Sequence, residues 1–437
     1  MGGVHPPENK ITAAAAIVPL PLPTQISVPL AQNLGAPSKA LVKKGDAVKT
    51  GQLIAKGEAF ISANIHSPVS GTVLKLDDVI NSSGYKQAAI TIKVEGDEWE
   101  EHIDRSETLL REISLTKDEI VSKIKDLGIV GLGGATFPSH VKLMVPDGKR
   151  IETLIINGVE CEPYLTADDR LMIERTEEVL TGTLILMKGL DVKRALIGIE
   201  ANKPEALASM REAAVNYPGI EVHALKVKYP QGGEKQLIKA LTGREVPSGK
   251  LPLDVGCVVN NVGTAFAVYE AIQKNKPLIE RVVTLTGSGL KNPGNFLVRI
   301  GTPVSLLVEQ AGGLPESAGK IINGGPMMGK ALTSLDVPVV KGTSGILILS
   351  KEESRRLRSN HCIRCSKCIS ACPMGLEPYL LANTAKQMLW EKTEQARIMD
   401  CIECGSCQYT CPSSLPLLDY LRVGKIRVGQ IIRNRRN

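Results

Sequence analysis

The spacing of apolar residues near the start of the chain is that of β-strands. From about Ile26 to Val94, Val, Ile and Leu alternate with polar residues, and Gly45 and Asp46 supply one of the turns between the runs. Alternation with a period of two is the pattern of half-buried strands. We therefore predict an all-β unit here, within a domain at residues 1–100.

The next region combines helical and strand-like patterns. Thr116 and Glu119 form a capping box, and Ile120 and Ile124 follow at helical spacing. Beyond this helix, strand-like runs such as IETLIING and RALIGIE alternate with helical runs such as NKPEALASMREAAVNY. That alternation is typical of an α/β domain with a mostly parallel sheet. We expect this domain to span residues 101–276.

A third change of pattern follows Pro277. The run RVVTLTGSGLKNPGNFLVRIGTPVSLLVEQAGG predicts two strands about a Gly/Pro turn and then a short helix, and SGILIL predicts a further strand. We expect this domain at residues 277–350. A charged linker, SKEESRRLRS, leads into a cysteine-rich domain expected at residues 351–420 and a basic amphipathic tail at residues 421–437.

Composition and charge narrow the function classes. The 437 residues carry a formal net charge of +7, and the basic residues are dispersed except near the C-terminus. Because most of the basic residues are dispersed along the chain, we do not expect a nucleic-acid partner. No run approaches the roughly 18 apolar residues of a membrane span, and the first residues lack a secretion signal. These features indicate a reduced, cytosolic protein.

Eight of the ten cysteines stand in two copies of the pattern C-x2-C-x2-C-x3-C-P. In this pattern three closely spaced thiols hold three irons of one [4Fe–4S] cluster, and the fourth thiol reaches the other cluster. We therefore predict two clusters with crossed ligands. Set one comprises Cys362, Cys365, Cys368 and Cys411, and set two comprises Cys401, Cys404, Cys407 and Cys372. Zinc sites also use C-x2-C pairs, but they need neither the third step nor the proline.

Two glycine-rich loops are candidates for phosphate binding, since glycine exposes backbone N–H groups without side-chain obstruction. The first, GLGGATFPSHVK, ends at Lys142, which adds a positive charge; taken alone, the loop also suits a plain tight turn. The second, GGPMMGKA, nearly fits the nucleotide-binding P-loop. Ala331 stands where that motif needs a hydroxyl for magnesium, so we do not expect nucleotide hydrolysis.

The first glycine-rich loop is followed in order by NGVECEP, YPQGGEK and VVNNVGT. This series resembles the flavin- and NADH-binding subunit of respiratory complex I, whose loops read GRGGAGFPTG-x-K, NADESEP, YICGEE and NNVET. The resemblance implies non-covalent FMN, with its phosphate at the first loop and its lysine, and NAD(H) as substrate. The implied cofactor-binding residues are Gly131, Gly133, Gly134, Phe137, Lys142, Asn157, Glu160, Glu162, Tyr229, Gly232, Glu234, Asn260, Asn261 and Thr264.

Four positions depart from that family's pattern. Leu132 replaces an arginine, and Val159, Gly233 and Gly263 replace acidic residues. The departures predict weaker flavin affinity or a flavin that is held differently.

The order of the modules resembles the RnfC subunit of the Rnf electron transport complex over nearly the full length. The first unit resembles the barrel-sandwich fold of lipoyl domains, but its tip, FISANIHS, lacks the carrier lysine; the third resembles a soluble ligand-binding β-grasp domain. The fold class expected is thus a multidomain α/β and α+β protein: a barrel-sandwich, a flavin α/β domain, a β-grasp domain and a ferredoxin-like α-helical domain. No residue is singled out as catalytic.

The Rnf resemblance also implies a function. The chain would be a peripheral subunit on the cytoplasmic side of the cell membrane, exchanging electrons between NAD(H), FMN and two [4Fe–4S] clusters. Its partners would be the other subunits of a complex that couples ferredoxin–NAD⁺ electron transfer to Na⁺ or H⁺ translocation. One alternative is the cobalamin reductase of bacterial microcompartments, against which the opening GGVHPPENK argues. The other is a flavin-free iron–sulfur relay scaffold, which the four departures favour.

The tail from Leu421 interleaves basic and apolar residues, among them Arg422, Lys425 and Ile426. It is either a frayed, solubilising terminus or a segment that binds acidic lipid headgroups or a partner subunit. In the second case, removing it should leave both clusters intact.

Overall fold

The computed structural model describes residues 2–436, of which Arg436 is described by its backbone alone, so Met1, Asn437 and the Arg436 side chain in the expected tail lie outside the described part. The strands are β1 (Ile17–Pro19), β2 (Gln25–Pro29), β3 (Lys39–Ala40), β4 (Ala47–Val48), β5 (Leu53–Lys56), β6 (Ile65–His66), β7 (Ser70–Ile80), β8 (Lys86–Gly96), β9 (Thr153–Gly158), β10 (Ala195–Glu200), β11 (Ile220–Leu225), β12 (Cys257–Asn261), β13 (Glu280–Gly287), β14 (Gly294–Arg299), β15 (Ala318–Asn323), β16 (Lys330–Ala331) and β17 (Gly345–Ser350). The helices are α1 (Lys117–Asp126), α2 (Ser139–Leu143), α3 (Ala167–Glu174), α4 (Thr176–Leu190), α5 (Pro204–Ala214), α6 (Glu234–Thr242), α7 (Val262–Lys274), α8 (Val304–Gln310), α9 (Lys367–Ala371), α10 (Pro378–Lys386), α11 (Trp390–Gln395), α12 (Ser406–Tyr409) and α13 (Leu417–Arg436).

The first domain is a sandwich of two small sheets, as the alternating pattern predicts. One sheet has the order β2-β8-β7-β4 and the other the order β3-β5-β6. Ile26, Ile54, Ile90 and Ile92 form its core and are almost completely buried. The alternating apolar residues therefore fill the space between the two sheets, and the polar residues between them face outward.

Residues 2–20, which belong to the domain expected at residues 1–100, add no strand to either sheet of this sandwich. Instead β1 pairs in parallel with β14, with Ile17 opposite Asn295. The Thr12 hydroxyl lies within 2.6 Å of the Thr166 hydroxyl, and Lys10 donates hydrogen bonds to backbone carbonyls of the α/β domain. The edge of β14 offers unpaired backbone groups that a short strand can satisfy. We call residues 2–20 the N-terminal arm.

The flavin-type α/β domain has a fully parallel sheet with the order β11-β10-β9-β12. The capping box predicted at Thr116 and Glu119 starts α1. The chain runs outward from β9 to β11 and then returns to place β12 on the other side of β9. Ligands of open α/β sheets bind beyond the carboxyl ends of the strands at such a reversal. The ends of β9 and β12, at Gly158 and Asn261, therefore mark the place to look for a site.

The strands and the short helix predicted after Pro277 are present in the β-grasp domain as β13, β14, α8 and β17. Its sheet has the order β1-β14-β13-β17-β15-β16, so the arm supplies one edge strand. Val304, Leu307 and Val308 of α8 pack into its core.

The C-terminal domain is helical, and α13 runs without a break past residue 420. Leu421 and Val428 are buried in the same core as several of the motif cysteines. A Cβ on Gly424 would approach Ala385 of α10 to 2.9 Å, so this glycine permits close helix packing. Within the tail expected at residues 421–437, Leu421 and Val428 thus belong to the core of this domain, whereas Val423 and Ile426 are exposed. Removing the tail would expose that core.

Candidate functional site

A cavity of about 630 Å³ lies where the first three domains meet. One wall is the first glycine-rich loop at residues 133–136, together with Glu162. Gly324 and Gly325 of the β-grasp domain form a second wall, and Gln32 and Asn33 of the barrel-sandwich form a third. The cavity thus joins the first glycine-rich loop to residues of two other domains.

The glycine-rich loop is held by hydrogen bonds at its base and is open at its tip. The Leu132 N–H donates to the Thr264 hydroxyl at 2.9 Å, and the Gly131 N–H donates to the Phe137 carbonyl at 2.8 Å. Gly134 has φ +107°, which favours glycine, and a Cβ built there would meet no atom within 4 Å. The loop therefore offers open space above its backbone, as a phosphate cradle requires.

Lys142, on α2, supplies the positive charge near this loop. Its Nζ donates to the Val259 carbonyl at 2.7 Å and lies 3.5 Å from the Glu234 carboxylate. Both side chains are partly exposed to solvent. An ammonium group fixed in this way suits a phosphate oxygen as a further partner.

Three asparagines gather at the carboxyl ends of β9 and β12. The Asn157 amide donates to the Gly232 carbonyl at 2.9 Å, which ties the second and third loops together. The Asn261 oxygen accepts the Gly263 N–H at the start of α7. Asn260 is buried, and neither its amide nitrogen nor its oxygen has a hydrogen-bond partner within the described chain. Because buried amides are nearly always paired, Asn260 fits a site that a polar ligand completes.

Glu160 has a structural contact within the chain. Its carboxylate accepts the N–H groups of Asp168 and Asp169 at 2.8 and 3.1 Å, and so caps the first turn of α3. Asp168 in turn accepts a hydrogen bond from the Asn261 amide at 2.6 Å. Burial and then the Glu160 charge raise the pKa of Asp168 to about 7. The motif NGVECEP therefore holds the start of α3 against the end of β12.

Glu162 connects the α/β domain to the β-grasp domain. Its carboxylate accepts the N–H groups of Met327 and Met328 at 3.1 and 2.8 Å. Burial raises its pKa to about 7, although these two donors act in the opposite direction. A Cβ on Gly325 would collide with the carboxylate, so only glycine fits there without displacement. The second glycine-rich loop thus cradles a carboxylate of this same chain, as its incomplete P-loop pattern allows.

Tyr229 lies at the junction between the α/β domain and the C-terminal domain. It is buried, and its hydroxyl donates to the Cys404 carbonyl at 2.9 Å. Val4 of the N-terminal arm exchanges two backbone hydrogen bonds with Tyr229, and the Gly3 N–H donates to the Ala371 carbonyl at 2.7 Å. The arm is therefore packed between the third flavin-type loop and the C-terminal domain.

The cysteines of the two motifs lie around two separate cavities. Set one lines a cavity of about 320 Å³, and set two lines another. Each cavity thus receives three cysteines from one motif and the fourth from the other, as crossed ligation requires. In the described part of the chain, no three His, Cys, Asp or Glu side chains are arranged to hold a single metal ion. The donor chemistry and the grouping of the thiols fit two [4Fe–4S] clusters.

Models of known protein families match four consecutive parts of the chain. They are the RnfC barrel sandwich hybrid domain at residues 1–97, the Nuo51 FMN-binding domain at 124–270, the SLBB domain at 282–331 and a 4Fe-4S dicluster domain at 355–412. These matches confirm the predicted fold class and the prediction of FMN and iron–sulfur clusters as cofactors.

Curated relatives match across most of the chain. The RnfC subunit of the proton-translocating ferredoxin:NAD⁺ oxidoreductase complex of Clostridium ljungdahlii is 47% identical, covering 90% of this chain and 86% of the relative. The RnfC subunit of the Na⁺-translocating ferredoxin:NAD⁺ oxidoreductase complex of Acetobacterium woodii is 43% identical, covering 97% and 96%. The RnfC subunit of the ion-translocating oxidoreductase complex of Rhodobacter capsulatus is 44% identical, covering 87% and 73%. The chain belongs to the RnfC family.

Among solved structures, an NAD⁺-reducing [NiFe]-hydrogenase in the H₂-reduced state is similar, with a TM-score of 0.48 and 17% identity. The match covers 71% of this chain and 60% of the hydrogenase chain.

In this RnfC chain, no helix within residues 2–436 is both long enough and apolar enough to cross a membrane.

In this RnfC chain, two of the four departures are packing positions. Val159 is completely buried with Leu237 and Cys257, and Leu132 is buried in the main core of the α/β domain. Gly233 stands at the N-cap of α6, and Gly263 lies in the first turn of α7 beside Asn261. The departures therefore accompany tight local packing and leave the loop tip at Gly134 open.

Several residues around the site were not expected from the sequence. Gln32 is buried beside the cavity, with its amide nitrogen unpaired within the described chain. Met327 and Met328 hold Glu162, and Asp168 holds Asn261. A signal for Asp168 exists, because it follows NGVECEP in the first turn of a helix; the other contacts join distant segments and have no local pattern.

Proposed function

We propose that this chain is the peripheral electron-transfer subunit of a membrane-bound, ion-translocating ferredoxin–NAD⁺ oxidoreductase (Rnf) complex. It would exchange electrons between NAD(H), FMN and two [4Fe–4S] clusters on the cytoplasmic side of the membrane, with the other subunits of the complex as partners. The observation that carries the proposal is the contact of Tyr229, in the third flavin-type loop, with Cys404 of set two. A flavin domain and a cluster domain that share a buried contact are suited to electron exchange.

The residues that would hold FMN come from the first and fourth flavin-type loops. The open backbone at Gly134 and the Lys142 ammonium group would receive the phosphate, and the Asn260 amide, which has no hydrogen-bond partner among the described residues, would bind a polar edge of the flavin. When bound, FMN takes two electrons from NAD(H) and releases them singly, which lets a hydride donor serve one-electron carriers. Three residues that the resemblance implies for cofactor binding already hold a neighbouring segment of the chain in position, so their role would differ from the family pattern. They are Glu160, Glu162 and Tyr229.

Set one and set two would each hold one cluster, with Cys411 and Cys372 as the exchanged ligands. When bound, each [4Fe–4S] cluster carries one electron at a time. The relative named for proton translocation is 47% identical to this chain, and the relative named for Na⁺ translocation is 43% identical. Likeness to these relatives therefore supports the role of the subunit and not a particular coupling ion.

FMN binding to the Lys142→Ala variant tests the proposal. Loss of a hydrogen bond to a charged group costs about 1.5–3 kcal/mol, so the FMN dissociation constant should rise by about 10- to 150-fold. Lys149→Ala is the matched control, since Lys149 lies in the same domain but pairs with Asp254 at the surface. The measurement is titration of anaerobically purified apoprotein with FMN, followed by reduction with NADH.

Two results would contradict this assignment. Equal affinity for FMN in wild type and Lys142→Ala would move the phosphate to another place. A protein that holds both clusters but binds no NADH-reducible FMN would be the flavin-free relay scaffold.

A further inference from the structure

The surface around set one carries an unusual charge. Between residues 355 and 367 there are five basic residues and no acidic one. All five are exposed, and Arg364 lines the set-one cavity beside the cysteines. We call them the basic rim: Arg355, Arg356, Arg358, Arg364 and Lys367.

The basic rim is largely unneutralised. Arg356 lies 3.0 Å from the Asp419 carboxylate, but within residues 2–436 no ion pair involves the other four side chains. The cavity itself has no aspartate or glutamate among its described lining residues. Four cations that lack an ion-pair partner in the described part of the chain, all in one short segment, create a positive field that attracts an acidic surface.

Exposed apolar side chains lie within the same segment. Leu357 is 72% exposed and Ile363 is 67% exposed, and both stand between rim residues in the chain. Cys362 and Cys365 are also exposed, whereas Cys404 and Cys407 of set two are buried. A surface that mixes arginine with exposed apolar residues is typical of protein–protein contacts.

We propose that the basic rim is the docking surface for an acidic protein, either another subunit or a domain of one, that carries a one-electron redox centre. This inference rests on the proposed function. It adds where the partner binds and what charge that partner presents. Each NADH oxidised to NAD⁺ and H⁺ supplies two electrons, so two one-electron reductions of such a partner balance one NADH.

A lipid surface is the other acidic surface that could attract these cations, but the position of the rim favours a protein. Arg364 of the rim lines the cavity of the most accessible cysteines of the C-terminal domain, where a bound redox group would be nearest to solvent, and the other rim residues flank those cysteines in the chain. A redox partner that binds there would lie close to the cluster, as electron exchange requires. Lipid headgroups accept no electrons, so lipid binding does not require closeness to the cluster.

Charge reversal tests the proposal by binding. Arg355→Glu/Arg358→Glu changes two rim residues that have no side-chain partner within the described chain, and Lys43→Glu/Lys44→Glu makes the same charge change on an exposed turn of the barrel-sandwich. The probe is washed membranes that hold the other subunits of the complex but lack this one. At low salt, the rim variant should bind these membranes at least about 10-fold more weakly, with a flatter dependence on KCl. The control variant should bind as wild type does.

Equal weakening in both variants, or none in the rim variant, would overturn the proposal. Arg355→Gln/Arg358→Gln, which removes charge without reversing it, should weaken binding by an intermediate amount at unchanged iron content; full wild-type binding would also overturn the proposal. Protein-free vesicles of anionic and zwitterionic phospholipid form the second arm. If wild type binds them as tightly as it binds the membranes and the rim variant does not, the surface binds lipid and the proposal is wrong.

Reduction of a small dye by NADH separates this inference from the proposed function. The soluble rim variant should reduce the dye as fast as wild type. If soluble wild type reduces no dye, the proposed function fails, whatever the binding measurements show.

Discussion

The two cysteine sets share one sequence pattern but have different surroundings. Cys404 and Cys407 of set two are buried, and Cys404 is contacted by Tyr229 from the α/β domain. Cys362 and Cys365 of set one are exposed and stand in a segment with five basic residues, four of which have no ion-pair partner within residues 2–436. The same spacing of cysteines thus occurs in two different surroundings. Segments far away in the chain decide whether a cysteine set faces another domain or the solvent.

The difference arises from the N-terminal arm and the second glycine-rich loop. Gly3 and Val4 pack between Tyr229 and Ala371, and the Met327 carbonyl approaches Gly405 in the set-two loop. No corresponding segment of the described chain covers the set-one loop, in which residues 359–367 are all exposed. The set-two loop is therefore part of an interdomain contact, and the set-one loop lies at the protein surface.

The largest expected effect comes from removing the crossed ligands. Cys411→Ala should remove about four irons from set one, and Cys372→Ala should remove about four from set two, because each supplies the fourth thiol of the opposite motif. Iron content and the spectra of the remaining cluster are the measurements. Loss of the cluster held by Cys401, Cys404 and Cys407 in the Cys411→Ala protein would show that the ligands are not crossed.

A smaller effect is expected in the helix that packs beneath both sets. Leu421 is buried in the cysteine domain core, whereas Val423, two residues later, is 51% exposed. Leu421→Ala should destabilise the domain by about 2–5 kcal/mol, and Val423→Ala should change its stability by less than about 0.5 kcal/mol. Thermal unfolding followed by cluster absorbance measures both. If the two variants unfold alike, α13 is a dispensable tail after all.

The smallest effect concerns the contact between Tyr229 and Cys404. Tyr229→Phe removes the hydroxyl that donates to the Cys404 carbonyl, and this should cost about 0.5–1.5 kcal/mol. Tyr409→Phe is the control, since Tyr409 is exposed and its hydroxyl makes no hydrogen bond within the described chain. Resistance of set-two iron to a chelator should fall in the first variant only. An unchanged rate of iron loss in Tyr229→Phe would mean that the contact does not protect set two.

Much of the fold was predictable because it depends on local patterns. The alternation between Ile26 and Val94, the capping box at Thr116 and the parallel strands of the α/β domain all follow from residues close in sequence. The grouping of cysteines by set also followed, since the spacing limits which thiols can meet.

What could not be predicted depends on contacts between distant segments. The arm's strand β1 is too short to be recognised by periodicity, and its partner β14 lies in another domain. Gly424 lets α13 approach Ala385, a fact that only the packing reveals. Glu162 was expected to bind a cofactor, and its hydrogen bonds with the N–H groups of Met327 and Met328 were not expected. No local sequence pattern predicts the contacts of β1, Gly424 or Glu162.

The position of the N-terminal arm has a consequence for synthesis on the ribosome. Gly3 and Val4 are translated before any of their partners, and Ala371 follows Val4 by 367 residues. At about 5–20 residues per second, the interval is on the order of 20–70 s. The intervening domains have time to fold as units while these backbone groups are still unpaired. The arm is thus made before the domains that it contacts but reaches its place only after they have folded, and its insertion joins the early domains to the late one.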